Sequence, residues 1–472
     1  MPASVAIHYL IVVPVRFHRS SPSTVAVESA FAEHLRVLRD RLAPHFDELT
    51  IAGPTMPRAQ YERDRGHLAS IDEERERMRF AALHPAESGR AMFWLRHFAS
   101  IAPRLWREVR RADVVHSGLS HNLFQPVEFL ALAFAKISRK PTICVVDIDT
   151  RADARMNQAT GRWSRKSVVL CRAVYDPLRT LQLAAAARWC SLVLLKGRRL
   201  CRDFGAGRPH VKYFLDAAFS GEHVIPQDAL ERKRHALSDP TAPLELVYFG
   251  RLTAYKGVDR CIEALAAARR RTSAPLRLHV IGTGEEEANL RALCRRLDVD
   301  DRVRFHAALP FGSALFAALY THHLSLAAPL SEDTPRSALD AMASGIPILA
   351  FGTEYYTDLH ASGAVDVVPW PSVADMSERI AHYADDKRRL LPLVDAAIAF
   401  ARANTQETWL DARVRWTLAL LAARGESASS AKVVRSCRPR TSKGEHDRRR
   451  LLEIRRGSCD AEPARTEDFR AE

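Results

Sequence analysis

The chain has 472 residues and a formal net charge of +14, and hydrophobic residues make up 47% of it. This length exceeds what one ordinary hydrophobic core accommodates, so two domains are the default expectation. No apolar run reaches the roughly 18 residues that a membrane-spanning helix needs. The first residues also lack the basic segment and the cleavage site of a secretory signal. Composition therefore argues against an integral membrane protein and agrees with a large soluble one.

The cysteine pattern bears on compartment and metal content. Eight cysteines are scattered along the chain, without C-x-x-C pairs and without histidines at metal-binding spacing. Such scatter is typical of reduced thiols in a cytosolic protein and argues against a structural zinc site. We expect no metal and no tightly held cofactor.

The N-terminal half alternates short apolar runs with segments in helical rhythm. We predict a strand over Ile7–Pro14, an amphipathic helix over Thr24–Leu42, and further strands at Leu49–Ala52, Val114–His116, Thr142–Val146, Leu192–Leu195 and Val211–Phe214. Strands that alternate with helices favour a doubly wound parallel sheet.

A stretch rich in aromatic and basic residues, Tyr61 to Arg111, lies within this half. Mixed aromatic and basic side chains suit a membrane interface that carries anionic lipid. An equally good interpretation is a domain helix with a buried aromatic face and a solvated basic face. We favour peripheral membrane association.

Two acids follow the predicted strand Thr142–Val146, namely Asp147 and Asp149. Either carboxylate could receive or orient a hydroxyl group of a substrate. A helix cap for the residues that follow is at least as good an explanation.

The segment Leu246 to Gly257, LVYFGRLTAYKG, reads as a buried strand that ends at Gly250. Ligands of open α/β sheets bind beyond the carboxyl ends of the strands, where Arg251 and Lys256 stand. Arginine suits bidentate phosphate contact and lysine supplies a compact positive charge. The alternative is that both are surface charges in a loop between strand and helix.

A strand followed by two glycines comes next, at Leu278 to Gly284. Gly282 and Gly284 would let the backbone approach a nucleotide closely, although any such turn can hold two glycines.

The most informative stretch is Ser331 to Ala350, SEDTPRSALDAMASGIPILA. Asp333, Thr334 and Pro335 look like a helix start, with Thr334 as the cap, and the helix runs from Ser337 to Ser344. Its free N–H groups and positive dipole end favour a phosphate in front of the loop, near Thr334 to Arg336. Glu332 before the helix and Asp340 inside it could hold two separate parts of one ligand, although they could also be ordinary solvated acids.

These three segments together resemble retaining glycosyltransferases of family 4, which have the GT-B fold. Glu332 and Asp340 fit the family's E-x7-E pattern except that the second acid is Asp, and the bases of Leu246–Gly257 resemble its G-R-L-x-x-x-K-G motif. Two departures lie in the first half: the loop Val15–Ser23 has no glycine, and Asp147-Ile148-Asp149 stands where many members have a histidine.

The resemblance implies a nucleotide-sugar donor and a set of roles. Arg251 and Lys256 would clamp the donor diphosphate, Glu332 would hold the sugar hydroxyls, and Asp340 would hold the ribose. The remaining donor-site residues would be Gly250, Gly282, Gly284, Asp333, Thr334, Pro335 and Arg336. In the family the acceptor is thought to attack the face from which the diphosphate departs, and the diphosphate takes the proton. No nucleophile or metal is implied.

The same resemblance divides the chain into parts. An acceptor-binding Rossmann-like domain would span residues 1–220, a linker 221–243, and a donor-binding Rossmann-like domain 244–404. A closing helix over 405–424 would cross back to the first domain. Residues 425–472 carry ten Lys or Arg against three acids between Lys432 and Arg456 and few large apolar residues, which predicts a disordered basic tail.

The expected partners are a nucleotide sugar, a glycan or lipid-linked acceptor and an anionic membrane surface at the inner face of the membrane. Nucleic acid is a poor candidate because no binding motif accompanies the basic tail. Two alternatives to a glycosyltransferase stay open: a sugar-nucleotide epimerase with the same fold, and a catalytically silent scaffold.

Overall fold

The computed structural model describes residues 7–86, 93–119, 123 and 125–436. The chain divides into two compact units, residues 1–421 and residues 422–472. The first unit contains two β-sheets with helices packed on their faces. In the second unit the last helix continues to Ser436, later than the predicted end of the closing helix, and the rest of the predicted disordered tail lies outside the described residues.

The first sheet is formed by the N-terminal half of the chain. Its order is β10-β9-β8-β7-β1-β4-β2-β3-β5, with β6 paired to β4. Its strands are β1 His8–Val12, β2 Phe17–Arg19, β3 Thr24–Glu28, β4 Glu48–Thr55, β5 Leu68–Asp72, β6 Met78–Pro85, β7 Val114–Gly118, β8 Thr142–Val146, β9 Leu192–Leu195 and β10 Val211–Tyr213. From β10 to β4 all pairings are parallel, as the alternation of strands and helices predicts.

One edge of this sheet departs from the predicted pattern. The first residues of the predicted helix Thr24–Leu42 form the strand β3, which pairs antiparallel with β2 and β5, and the helix begins only at Ser29. The run Thr24–Glu28 contains three β-branched residues, and its three central residues are buried, so tertiary pairing overrides the helical rhythm. The hairpin β2–β3 thus occupies the place of the absent glycine loop.

The aromatic and basic stretch Tyr61–Arg111 contributes mainly to the core. Phe80, Phe93 and Leu105 are buried in the first half, whereas Trp94 and Leu95 are exposed. Several arginines of the helix Phe98–Arg111 face solvent. This arrangement favours the domain-helix interpretation of the stretch.

The second sheet is parallel throughout, with the order β13-β12-β11-β14-β15-β16. Its strands are β11 Leu244–Phe249, β12 Leu276–Ile281, β13 Val303–His306, β14 Leu324–Ala327, β15 Ile348–Phe351 and β16 Val365–Val368. The runs of apolar residues in β11 and β15 are buried on both faces, as expected for a sheet covered by helices on each side. Both sheets are Rossmann-like, which confirms the predicted architecture.

Helices cover both sheets. In the first half they are Ser29–Leu42, Arg58–Asp64, Phe98–Arg111, Val127–Ile137, Asp153–Ala159, Arg165–Leu170, Asp176–Trp189 and Arg198–Gly205. In the second half they are Gln227–Ser238, Val258–Arg269, Glu287–Arg296, Ser313–Leu319, Arg336–Ala343, Glu354–His360, Val373–Asp385, Leu391–Ala403 and Gln406–Ser436.

The last helix, Gln406–Ser436, returns to the first sheet. Its residues Leu410 and Val414 are buried in the same core as Tyr9 of β1. Arg413 is buried and bonds to the Tyr9 hydroxyl at 3.2 Å and to His116 of β7. The crossing predicted for the closing helix is therefore present up to the end of the first unit.

In the described part of the chain, none of the helices combines the length and the apolar character that a membrane crossing would need. The six described cysteines are free thiols.

Candidate active site

A small cavity of about 30 Å³ opens at the carboxyl ends of β11 and β14. These strands are neighbours in the centre of the second sheet, and the chain leaves them in opposite directions, towards β12 and towards β15. Such a switch point leaves a crevice in which ligands of open α/β sheets bind. Lys256, Asp333, Pro335 and Ser337 line the cavity.

The glycines of this edge serve backbone packing. A Cβ on Gly282, whose φ is +152°, would come within 2.0 Å of the Gly250 oxygen. A Cβ on Gly284 would come within 2.2 Å of the Leu252 oxygen. The close approach that we expected towards a nucleotide is therefore made, in this structure, between the loops that follow β11 and β12.

The two predicted bases lie on the loop after β11. The Lys256 ammonium forms an ion pair with the Asp333 carboxylate, and both side chains are largely shielded from solvent. Arg251 is exposed, and its guanidinium donates to the Tyr255 hydroxyl at 2.9 Å. The structure thus brings Lys256 to the helix-start loop and leaves Arg251 exposed, bound to Tyr255 of its own loop.

The start of the helix Arg336–Ala343 differs from the prediction. Its N-cap residue is Pro335, with no side-chain cap, and Thr334 does not cap it. The Thr334 hydroxyl instead donates to the Asp147 carbonyl of the first half at 3.2 Å. A contact with a residue distant in sequence therefore replaces the local cap, and the first N–H groups of the helix are left without a capping side chain. Arg336, the first residue of the helix, is half-buried.

Glu332 lies between the two halves of the chain. Its backbone N–H donates to an Asp153 carboxylate oxygen at 3.1 Å, and its own carboxylate accepts from the Glu354 N–H at 3.4 Å. Burial raises the pKa of Glu332 to about 7, and nearby carboxylates add to the shift. The pKa of Asp153 is raised to about 6, mainly for the same reason.

Asp340 is enclosed more completely than expected. It is buried in the helix Arg336–Ala343, its Oδ1 has no hydrogen-bond partner among the described residues, and it does not line the cavity. Burial raises its pKa to about 7, against the opposing effect of Arg336. A buried oxygen without a hydrogen-bond partner lowers the stability of the fold unless a ligand satisfies it.

The two acids after β8 have different surroundings. Asp149 is bound by the Arg151 guanidinium at 2.6 and 2.8 Å and caps the short 3₁₀ turn Thr150–Ala152. The cap interpretation is therefore correct for Asp149. Asp147 is exposed, but the surrounding protein desolvates its carboxyl and raises its pKa.

Sequence reasoning missed Lys196, which follows β9. Its ammonium is buried and donates to the Thr334 carbonyl at 3.0 Å, across 138 residues of sequence. Burial lowers the pKa of Lys196, while the carboxylates of Asp216 and Asp147 oppose that shift. A single lysine at a strand end carries no local signal, and only the edge at which parallel strands end could have drawn attention to it.

These residues form one wall of opposite charges between the halves. Asp147 and Lys196 come from the first sheet, whereas Thr334, Glu332 and Arg336 come from the second half. The wall lies beside the crevice, because Thr334 is flanked by Asp333 and Pro335, which line it, whereas the lining of the crevice itself comes from the second half alone. Among the described residues, no group of three or more His, Cys, Asp or Glu side chains is arranged to hold a metal ion.

Comparisons with known proteins agree with this architecture. Residues 231–400 match the family model described as glycosyl transferases group 1. The chain is 30% identical over 102 residues to an uncharacterized glycosyltransferase of Haemophilus influenzae, which covers 22% of this chain and 28% of that protein. It is 24% identical over 256 residues to a 2-deoxystreptamine glucosyltransferase of Streptomyces kanamyceticus, covering 50% of this chain and 63% of the relative. The chain thus spans less than two thirds of either curated relative.

Among solved structures, HepE of Anabaena in complex with UDP has a similar fold. The TM-score is 0.58 at 13% identity, over 88% of this chain and 100% of that one. The chain therefore has the GT-B fold, and over residues 231–400 it matches the glycosyl transferases group 1.

Proposed function

We propose that this protein is a retaining glycosyltransferase that moves a sugar from a nucleoside-diphosphate sugar to an acceptor hydroxyl. The observation that carries the proposal is the meeting of Lys256 with the loop Glu332–Pro335 at the switch point of the second sheet. A cation and an uncapped helix start at one crevice suit a diphosphate. The match of this half to the glycosyl transferases group 1 supports the same conclusion.

The reaction breaks the bond between the anomeric carbon and the diphosphate oxygen, and it forms a bond from that carbon to the acceptor oxygen. The departing diphosphate gathers negative charge and takes the proton that the acceptor hydroxyl loses. Arg251, Lys256 and the helix start at Arg336 stabilise this charge electrostatically. Before the donor binds, Lys256 is held by Asp333, so the diphosphate competes with that carboxylate for the ammonium.

The two signature acids have separate roles in this proposal. Glu332, on the wall between the halves, holds hydroxyl groups of the donor sugar. Asp340 holds the ribose hydroxyls: its Oδ1 has no hydrogen-bond partner among the described residues, and because it does not line the cavity, the ribose reaches it only when the surrounding side chains move aside. Asp147, open to solvent beside Thr334, receives or orients the acceptor hydroxyl.

We also propose that no divalent ion is needed. Three basic groups supply positive charge for a diphosphate: Lys256 lines the crevice, Arg251 lies on the same loop, and Arg336 begins the helix that follows Pro335. Turnover that persists unchanged in excess chelator would support this, and loss of turnover that magnesium or manganese restores would contradict it.

The acceptor that we propose is a glycan or a lipid-linked glycan of cell-surface polysaccharide synthesis. The enzyme would work in the cytoplasm, at the inner face of the membrane. The excess of basic residues supports contact with an anionic surface.

The experiment is a donor panel. The full chain is incubated with UDP- and GDP-sugars, with and without candidate acceptors, and free nucleoside diphosphate is measured. We expect release with at least one donor, faster when acceptor is present, and a product with the donor's anomeric configuration by NMR. Inversion of that configuration would contradict the retaining mechanism.

The same panel separates the alternatives. An epimerase would convert the donor into another sugar nucleotide without an acceptor. A silent scaffold would bind nucleotide, measurable by calorimetry, yet release no diphosphate from any donor.

A further inference from the structure

The helical segment Arg165–Trp189 carries large apolar side chains on its outer side. It consists of the helix Arg165–Leu170, one π-helical turn over Cys171–Tyr175, and the helix Asp176–Trp189. Its inner side already packs on the sheet through buried residues such as Leu183 and Ala186. The outer apolar residues are therefore not needed for the core.

These outer residues are here called the apolar stripe: Val169, Leu170, Val174, Leu178, Leu181 and Trp189. Steps of four, four and three residues from Leu170 keep its middle part on one face of a helix. Leu170 and Leu181 are 51% and 65% exposed. Several large apolar side chains exposed on one helix face favour a docking site, whereas isolated exposed residues do not.

Five exposed basic residues lie along or just before the same segment and are here called its basic rim: Arg162, Arg165, Lys166, Arg172 and Arg188. Asp176 is the one acidic residue between Thr160 and Cys190, and it accepts a bond from the Cys171 thiol. Trp163 and Trp189, both exposed, stand towards the two ends of the segment. An apolar row with a basic rim and tryptophans at its ends has the composition of an interfacial helix on anionic lipid.

The start of this segment lies beside the crevice between the halves. The Arg162 guanidinium stands 5.9 Å from the centre of the Tyr255 ring, which belongs to the loop of Arg251 and Lys256. The preceding helix Asp153–Ala159 contributes the carboxylate that binds the Glu332 N–H. A surface that holds the apolar stripe would therefore lie next to the entrance of the candidate active site.

We propose that the outer face of Arg165–Trp189 docks on an anionic lipid surface, with the apolar stripe at the boundary between headgroups and acyl chains. Resting on the proposed function, this docking also assigns the acceptor to a class, a glycan carried by that lipid surface. A second copy of the chain is a poorer occupant, because a symmetric contact would set the same basic rim against itself.

The test is flotation of the full-length protein with phosphatidylcholine vesicles, with and without phosphatidylglycerol. The stripe variant is Leu170→Gln, Leu178→Gln and Leu181→Gln, since Gln keeps helix propensity. The control variant, Trp94→Gln and Leu95→Gln, removes exposed apolar residues of the same half. We expect wild type and control to float with the anionic vesicles, and the stripe variant to bind about tenfold more weakly.

High salt separates insertion from simple charge attraction by the basic tail. Wild type should keep part of its binding at high salt, because apolar contact is not screened, and the stripe variant should keep none. A second variant, Arg165→Gln, Lys166→Gln and Arg172→Gln, should weaken binding mainly at low salt.

Several results would overturn the proposal. They are a wild type that does not float, a stripe variant that binds as wild type does, and a control that loses as much binding as the stripe variant. If light scattering shows a dimer for the wild type and a monomer for the stripe variant, the stripe is instead a contact with a second copy of the chain. Circular dichroism and nucleotide binding check that each variant is folded. Because donor turnover with a soluble acceptor is measured separately, failure of docking leaves the proposed activity open to its own test.

Discussion

At the scale of single residues, Glu332 and Asp340 have the same pKa of about 7 for the same main reason, burial. Their surroundings differ, however. Glu332 accepts a hydrogen bond from a backbone N–H and stands between the halves, whereas Asp340 lies inside a helix with an oxygen that no group in the described part of the chain satisfies. The two carboxyl groups should therefore respond differently to removal of their charge.

The first prediction separates these two acids. Glu332→Gln should remove most turnover and leave binding of free nucleoside diphosphate nearly intact, because its proposed contact is to the sugar. Asp340→Asn should weaken nucleotide binding by about 1–3 kcal/mol, the typical cost of an unpaired buried group. Calorimetry with UDP or GDP, beside steady-state rates, makes the comparison. The reverse pattern would refute the division of roles.

A second prediction follows from the raised pKa of Asp340. A carboxyl whose pKa is about 7 in the folded state and near 3.8 in the unfolded state stabilises the fold below the lower value, and this contribution is lost as pH rises through about 7. Asp340→Asn removes that dependence. Wild type should therefore lose more stability than the variant in denaturant titrations between about pH 5 and about pH 8, by on the order of 2 kcal/mol. Parallel pH curves would contradict the burial of this charge.

The third prediction concerns the donor clamp. Arg251→Ala or Lys256→Ala should each lower kcat/KM by roughly 10²-fold or more, as for loss of one charge-stabilising group. Lys256→Ala also leaves the Asp333 carboxylate unpaired. The double variant Lys256→Ala with Asp333→Asn controls for this and should be no more active than Lys256→Ala alone. As a further control, Arg291→Ala removes an exposed arginine that pairs with Glu287 and should leave kcat/KM unchanged. Near-normal turnover of both clamp variants would defeat the assignment.

At the scale of elements, what could be predicted depended on whether an interaction is local. The buried strand β11 and the loop that follows it were identified because apolar runs, glycine and basic residues lie within a few positions. The helix cap at Thr334 was predicted wrongly because its hydroxyl finds a carbonyl 187 residues away. The start of the helix Ser29–Leu42 was misjudged because sheet pairing converts Thr24–Glu28 into a strand. Local sequence patterns therefore predict local structure, whereas contacts between the halves can be seen only in the folded chain.

The fourth prediction tests the contact between the β9 end and the helix-start loop. Lys196→Met removes the ammonium that binds the Thr334 carbonyl and leaves that carbonyl without this donor. Because Lys196 positions the loop rather than touching the substrate, its loss should lower kcat about tenfold. The KM for the donor should change little, since the loop still binds the donor but is less well aligned. Lys196→Arg should recover part of the rate. Full activity of Lys196→Met would show that the contact does not align the site.

At the scale of the whole molecule, charge and apolar surface are distributed unevenly. The compact unit that holds both sheets ends at Leu421, and 13 of the 70 lysines and arginines lie in the 51 residues beyond it. The first half adds the apolar stripe with its basic rim. Two regions could therefore contact anionic lipid. The basic residues beyond Leu421 would be attracted by charge, which salt screens, and the apolar stripe would insert between the lipids.

The fifth prediction separates these regions by deleting residues 425–472. The melting temperature should stay within error, because the deletion begins after the unit that holds both sheets and their cores. Binding to phosphatidylglycerol vesicles should weaken at low salt, since each basic residue near such a surface contributes on the order of 1 kcal/mol. At high salt the truncated and full-length chains should float equally, because the remaining binding comes from the apolar stripe, which the deletion retains. A truncated protein that melts several degrees lower would assign the tail a structural role, and one that no longer floats at any salt would make the tail the principal anchor.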